Sequence, residues 1–153
     1  MVQILNWRTA TAGGRDVAGI LELMRAFYAE EHLVFEEVGA RKAVVDLVEK
    51  PEAGRVFFLE AGEGGVAGYV VLTFGWSLEF HGRFVLLDEI YLKRELRGRG
   101  LGQRVLADVE AWAKAEGAAT VRLEVNDANT GARRFYERAG FKDGVRDVRT
   151  KWL

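Results

Sequence analysis

Apolar residues Val17, Ile20, Leu21, Met24, Phe27 and Tyr28 recur at intervals of three and four, which predicts one buried helix face, with Thr11 as a cap upstream. Before it, Val2 to Trp7 is apolar enough for a first strand. A second helix is expected near Arg41 to Glu49, where Val44, Val45, Leu47 and Val48 are apolar and Pro51 and Gly54 end the pattern. Strands follow. Val56-Phe57-Phe58-Leu59 runs into Gly62-Glu63-Gly64-Gly65, a hairpin signal, and Val66 to Phe74 returns. Gly75 to Arg83 reads as a loop carrying Trp76, Phe80 and His81. Phe84 to Leu92 is apolar on both parities, so it should be central and covered on both faces. A helix with Val105, Leu106, Val109, Trp112 and Ala113 on one face ends at Gly117. Thr120 to Val125 reads as a strand. Asn129 can cap a short helix holding Phe135 and Tyr136, ended by Gly140, and Phe141 with Arg146 to Trp152 supplies a last strand. The order β-α-α-β-β-β-α-β-α-β predicts an α/β or α+β mixed sheet.

Composition narrows the chemistry. The 153 residues are 49% hydrophobic, enough for a core and suited to a single domain over residues 1–153. Twenty-two basic residues face 23 acidic ones, so the net charge of −1 disfavours nucleic acid as a partner. There is no cysteine, so no protein thiol can serve as nucleophile or metal ligand. His32 and His81 cannot make a three-histidine site, and no metal is expected. No apolar run reaches the ~20 residues of a membrane span, and no signal-peptide pattern opens the chain. The expectation is a cytoplasmic protein without a membrane partner.

One segment departs from this even balance. Between Lys93 and Arg104 five basic residues face Glu95 alone, a local charge of +4. Within it, Arg97-Gly98-Arg99-Gly100-Leu101-Gly102 follows a strand and opens a helix. Glycines let the backbone turn sharply and approach a ligand, and the first helical N–H groups lack intrahelical acceptors. Such an end suits a phosphate. The pattern is not a P-loop, because Gln103 and Arg104 follow Gly102. Its glycine spacing is not the dinucleotide fingerprint either.

These residues resemble the GNAT superfamily of acetyl-CoA-dependent N-acetyltransferases. Arg97, Gly100 and Gly102 satisfy the family's Q/R-x-x-G-x-G/A loop. Leu87-Asp88-Glu89-Ile90-Tyr91-Leu92 looks like the strand leading into it. Leu123-Glu124-Val125, Asn129 and Phe135-Tyr136-Glu137-Arg138-Ala139-Gly140-Phe141 resemble the other family block. The resemblance implies a mixed, mostly antiparallel sheet flanked by helices and splayed between the fourth and fifth strands. It implies pantetheine pairing along Ile90, Tyr91 and Leu92, and pyrophosphate on the backbone of Arg97, Gly98, Arg99, Gly100, Leu101 and Gly102. Asn129 would bind the CoA moiety. Tyr136, beside the thioester sulfur, would act as general acid. The implied reaction moves an acetyl group from acetyl-CoA to a primary amine by direct attack. That needs a base for the amine and an acid for the thiolate, and no protein nucleophile.

Three carboxylates compete for the base. Strand alternation puts Glu89 and Tyr91 on one face, Asp88 and Ile90 on the other. Glu124 lies twelve residues before Tyr136, a spacing similar to the protein N-terminal acetyltransferase branch. Glu89 and Glu124 rank level, with Asp88 or a water chain behind them. For the acceptor, Phe35, Glu36, Trp76, Phe80 and Asp88 are the candidates. The stretch Glu22 to Glu37 carries five glutamates and one arginine, which suits a cationic small-molecule or peptide amine. Two other readings stand beside this one: an acyl-CoA sensor without turnover, and a nucleic-acid module built on Lys93–Arg104 and Arg133–Lys151. Trp152 and exposed aromatics leave homodimerisation open.

Overall fold

The computed structural model describes residues 5–153. Strand β1 spans Leu5–Thr9, and residues 2–4 of the expected first strand lie outside the described part. Then come α1 (Gly14–Glu30), α2 (Glu37–Val48), β2 (Gly54–Ala61), β3 (Val66–Ser77), β4 (Gly82–Leu92), α3 (Leu101–Ala115), β5 (Thr120–Leu123) and α4 (Thr130–Arg138). The five strands form one sheet in the order β1-β2-β3-β4-β5. The first three pairings are antiparallel and β4–β5 is parallel. This is the mixed, mostly antiparallel sheet with flanking helices that the resemblance implied.

Each face of the sheet has its own core. On one face, α3 seats Leu101, Val105, Leu106 and Val109 against Val70, Leu72, Val85 and Leu87. On the other, α1 seats Val17, Ile20, Leu21 and Met24 against Phe58, Tyr69 and Tyr91. A fully buried side chain of this size contributes about 1.5–3 kcal/mol, so both helices are held by packing more than by propensity. β4 is covered on both sides, as apolar residues on both parities of its sequence require. Gly68 of β3 meets β4 so closely that a Cβ would lie 1.9 Å from the Tyr91 carbonyl oxygen.

Several boundaries differ from expectation. Helix α1 is capped by Gly13. Thr11 instead donates its N–H and hydroxyl to Asp16, at 2.9 and 3.0 Å. Helix α2 begins earlier than Arg41, because the Glu36 carboxylate accepts from the N–H groups of Val38 and Gly39. β3 continues through Trp76 to Ser77, so the expected loop shrinks to a tight turn with His81 at φ 62°. The last strand, expected at Phe141 and Arg146 to Trp152, is absent: the described residues after α4 hold no strand. Val148, Thr150 and Trp152 alternate with charged residues as a half-buried strand would, but no described strand pairs with them, and Val145, Val148 and Trp152 stand exposed.

Two irregularities of β4 open the sheet at one end. β5 pairs only with Phe84 to Leu87, so β4 runs on alone from Asp88 to Leu92 and the sheet splays. At the same point the β3 register steps from Leu72↔Leu87 to Val71↔Glu89, leaving Asp88 as an unpaired bulge residue. The bulge resets the pleat: Leu87 and Leu92 share the α3 face, while Tyr91 joins the α1 face.

Candidate active site

The splay opens a cleft of about 590 Å³, a size typical of ligand sites. Its walls are the free end of β4, the glycine loop, the N-terminal turn of α3, the segment after β5, helix α4 and the C-terminal end of α1.

The glycine loop forms one wall. Gly98 and Gly100 take left-handed φ values of 74° and 76°, which other residue types adopt at a cost. A Cβ at either would meet nothing within 4 Å, so the loop's backbone is open to a ligand. Gly100 caps α3 without any side-chain bond. The N–H groups of residues 98–103 find no acceptor among the described residues. Gly102 serves packing instead: its Cα faces the Phe135 ring, 2.9 Å from where a Cβ would sit. The Arg97 guanidinium is drawn back from the cleft's centre. Its Nε donates to the Leu92 carbonyl at 2.7 Å and an Nη donates to Glu30 at 2.8 Å.

The carboxylates divide by environment. Glu89 points to the α1 side, where the hydroxyls of Tyr28 and Tyr69 donate to its two oxygens at 2.5 and 2.8 Å. Burial pushes its carboxyl above the usual range, against the pull of the two phenols. Asp88 stands on the bulge, facing the open cleft, with no hydrogen-bond partner among the described residues. Enclosure between the cleft walls pushes its carboxyl up, and the charge of Glu124 pushes it further. Glu124 lines the same cleft just past the end of β5.

Tyr136 projects from α4, packed against Phe135 and Phe141 at 5.1 and 5.8 Å between ring centroids. Its hydroxyl has no protein partner among the described residues, while the ring lines the cleft. Burial, with the charge of Glu31, pushes the phenol up to about 12. Asn129 caps α4 by accepting from the Ala132 N–H at 3.0 Å, and its amide nitrogen donates to Glu31 at 3.2 Å.

The predicted acceptor residues are not all gathered here. Asp88 is in the cleft. Glu36 is spent as the α2 cap, and Phe35 packs edge-on against Tyr28, 5.7 Å away. Trp76 and Phe80 lie at the opposite end of β4, on the order of 15 Å from Asp88 by strand rise. Phe80 there sits under the Arg122 guanidinium, at 4.5 Å. The acidic run of the sequence disperses as well: Glu30 pairs with Arg94 and Arg97, and Glu37 with Arg25 and Arg41. Sequence reasoning missed Tyr28 and Tyr69, because their shared partner Glu89 is 61 and 20 residues away. It also missed Gln103, whose amide donates to the Phe135 carbonyl at 3.0 Å and ties α3 to α4.

Comparison with known proteins decides the family. Residues 20–141 match the model of the acetyltransferase (GNAT) family. The chain belongs to the GNAT acetyltransferases. An uncharacterized N-acetyltransferase of Methanocaldococcus jannaschii is 32% identical to this GNAT chain over 108 residues, 70% of the chain and 46% of that protein. A thialysine N-epsilon-acetyltransferase of Bos taurus is 36% identical over 78 residues, 51% of the chain and 45% of that protein. The chain thus spans under half the length of either relative. The crystal structure of an integron cassette protein from the mobile metagenome of Cole Harbour Salt Marsh superposes with a TM-score of 0.80 at 30% identity, covering 96% of the chain and 90% of that protein. The GNAT cleft is also the place where the sequence motifs converge: the Arg97–Gly102 loop, Asp88, Glu89, Glu124, Asn129 and Tyr136 all border it or its loop. No described helix of this acetyltransferase is long and apolar enough to cross a membrane.

Proposed function

We propose that the chain, as one domain, transfers an acetyl group from acetyl-CoA to a primary amine by direct attack. One observation carries the reading. Among the described residues, one cleft brings together loop N–H groups without an acceptor, the Tyr136 phenol without a partner and the Asp88 carboxylate without a partner. The loop fits the donor because its free N–H groups and the α3 N-terminus favour a pyrophosphate, and no side chain fills the approach. When bound, acetyl-CoA supplies a thioester carbonyl for the amine to attack.

Asp88 is the base in this reading. Its carboxylate is free, and its raised affinity for protons suits removal of a proton from an ammonium. Glu124 tunes Asp88, and Glu89 is the fixed support behind the bulge, held by two phenols. Asp88 first takes one proton from the ammonium and passes it to solvent; the freed lone pair then bonds to the thioester carbon, and Asp88 takes the nitrogen's second proton as the tetrahedral species collapses and CoA leaves as the thiolate. As the carbon–sulfur bond breaks, the Tyr136 hydroxyl donates toward the departing sulfur. The free β4 edge beyond Leu87 supplies N–H groups for the transient oxyanion. The acceptor belongs to the amines, in line with the thialysine activity named for the bovine relative.

A thiol-release assay with acetyl-CoA and a panel of primary amines tests the reading. Amine-dependent thiol release is expected. Tight acetyl-CoA binding by calorimetry, with no release for any amine, would favour the acyl-CoA sensor instead. The donor wall has its own test in Gly100→Asn. Valine at Gly100 would strain the left-handed backbone, whereas asparagine tolerates that conformation and can cap a helix. Its side chain would crowd the loop's open face. Acetyl-CoA affinity should fall roughly tenfold, about 1.4 kcal/mol, with the melting temperature held. Undiminished affinity would remove the loop from the donor site.

A further inference from the structure

Glu30 and Glu31 are neighbours at the C-terminal end of α1, yet they reach opposite walls of the cleft. Glu30 accepts from Arg97 at 2.8 Å, from Arg94 at 3.1 Å and from the Tyr91 hydroxyl at 3.4 Å, all on the β4–glycine-loop side. Glu31 accepts from Asn129, the residue that caps α4, at 3.2 Å through one oxygen and 3.4 Å through the other. Both carboxylates line the cleft. Neither serves its own helix. A helix C-terminus carries partial negative charge, and α1 has no basic residue in its last turn to offset two carboxylates. Their partners lie on other elements, 61 to 98 residues away in sequence.

We propose that the end of α1 is a clasp spanning the splay, with Glu30 and Glu31 as positioning residues: Glu30 holds Arg97 and the donor loop, and Glu31 holds Asn129 and with it the α4 helix that carries Tyr136. Sheet hydrogen bonds cannot set the width of this cleft, because β4 and β5 part at Leu87. The clasp adds a constraint across the gap, beside the Gln103 bond that ties α3 to α4. Asn129 is the joint on the α4 side: one end of its amide orders the helix N-terminus and the other is fixed by Glu31. Displacing the N-terminal turn of α4 moves the Tyr136 hydroxyl away from the sulfur, while Gly98 and Gly100, where a Cβ would meet nothing within 4 Å, keep the open face of the loop. The inference rests on the acetyl-transfer reading for its kinetic consequences, but not for its structural ones.

The test reverses the hydrogen bond. Asn129→Asp keeps the α4 cap but sets two carboxylates face to face. Adding Glu31→Gln lets the glutamine amide donate to the carboxylate introduced on α4. Hydrogen–deuterium exchange of the α4 amides reads the clasp with no ligand present. Exchange should be faster in Glu31→Ala and in the aspartate variant, near wild type in Glu31→Gln, and restored in the double variant. In turnover, Glu31→Ala should lower kcat roughly tenfold with the KM for acetyl-CoA held. Glu30→Ala should instead raise that KM, since Arg97 keeps only its bond to the Leu92 carbonyl. Failure of Glu31→Gln to rescue the aspartate variant in exchange overturns the clasp, as would the same KM–kcat pattern for both alanine variants. Should the wild-type chain release no thiol with any amine, the acetyl-transfer reading falls and the exchange rescue still decides the clasp.

Discussion

Asp88→Asn is expected to lower kcat/KM by about 10²–10⁴-fold, the usual range for loss of a general base. Asparagine keeps the shape of the bulge residue and removes only the proton acceptor. The effect should be largest at neutral pH, where the amine arrives protonated, and should shrink as pH rises toward the amine's own pKa. The acid limb of the pH profile offers a second reading of the same group. Glu124 raises the proton affinity of Asp88, so Glu124→Gln should shift that limb to lower pH. The stability consequence has the opposite sign from the catalytic one. A carboxyl whose pKa is raised by folding stabilises the fold at low pH, and that contribution is lost as pH rises through the folded pKa. At neutral pH the charged Asp88 is therefore a burden, and the asparagine variant should melt no lower than wild type. An inactive variant of unchanged or higher melting temperature would mark Asp88 as a site selected for chemistry. A variant with full activity and an unshifted acid limb would return the role of base to Glu89 or Glu124.

Tyr136→Phe is expected to lower kcat by about 10²-fold with acetyl-CoA affinity unchanged. The size follows from the environment of the phenol. With its pKa pushed up to about 12, the hydroxyl stays protonated throughout the working range. It is also a weaker acid than an ordinary thiol of pKa ~8.5, so outright proton transfer to a free thiolate would run uphill. The same burial disfavours the thiolate and narrows that gap. On the proposed reaction, Tyr136 would then act mainly by donating a hydrogen bond as charge builds on sulfur, and a hydrogen bond to a charged group contributes about 1.5–3 kcal/mol. Single-turnover thiol release separates this step from product release. A phenylalanine variant releasing thiol at the wild-type rate would make Tyr136 a packing residue between Phe135 and Phe141.

Much of the architecture was legible in the sequence, because periodicity reports which face of an element is buried. The α1 and α3 stripes, the two-sided burial of β4 and the Asn129 cap follow from spacing alone. The glycine loop was equally legible, since glycine holds φ near 75° at the lowest cost and a strand–glycine–helix order leaves N–H groups free. The expected C-terminal strand is not formed among the described residues: Val148, Thr150 and Trp152 alternate as a strand would, but alternation is local, whereas a strand also needs a neighbour to pair with and a core to cover, and Val148 and Trp152 stay exposed. The same limit applied to the acceptor side. Glu36 reads as an acid near the site, but its distance from two helix N–H groups makes it a cap.

The sequence by itself determined most of the elements, their buried faces, the glycine loop and the small set of acids and phenols available for chemistry. These are local properties, written in residue type and short-range spacing. Only the tertiary structure decided how that set is used. A one-residue bulge leaves Asp88 unpaired in the cleft while Glu89 turns to the α1 side, and no local pattern announces a register step between β3 and β4. The pairing of Glu89 with Tyr28 and Tyr69, and of Glu30 and Glu31 with opposite walls, joins residues far apart in the chain. Side-chain roles of this kind depend on three-dimensional distance and on desolvation, which arise only when α1 folds across the splay.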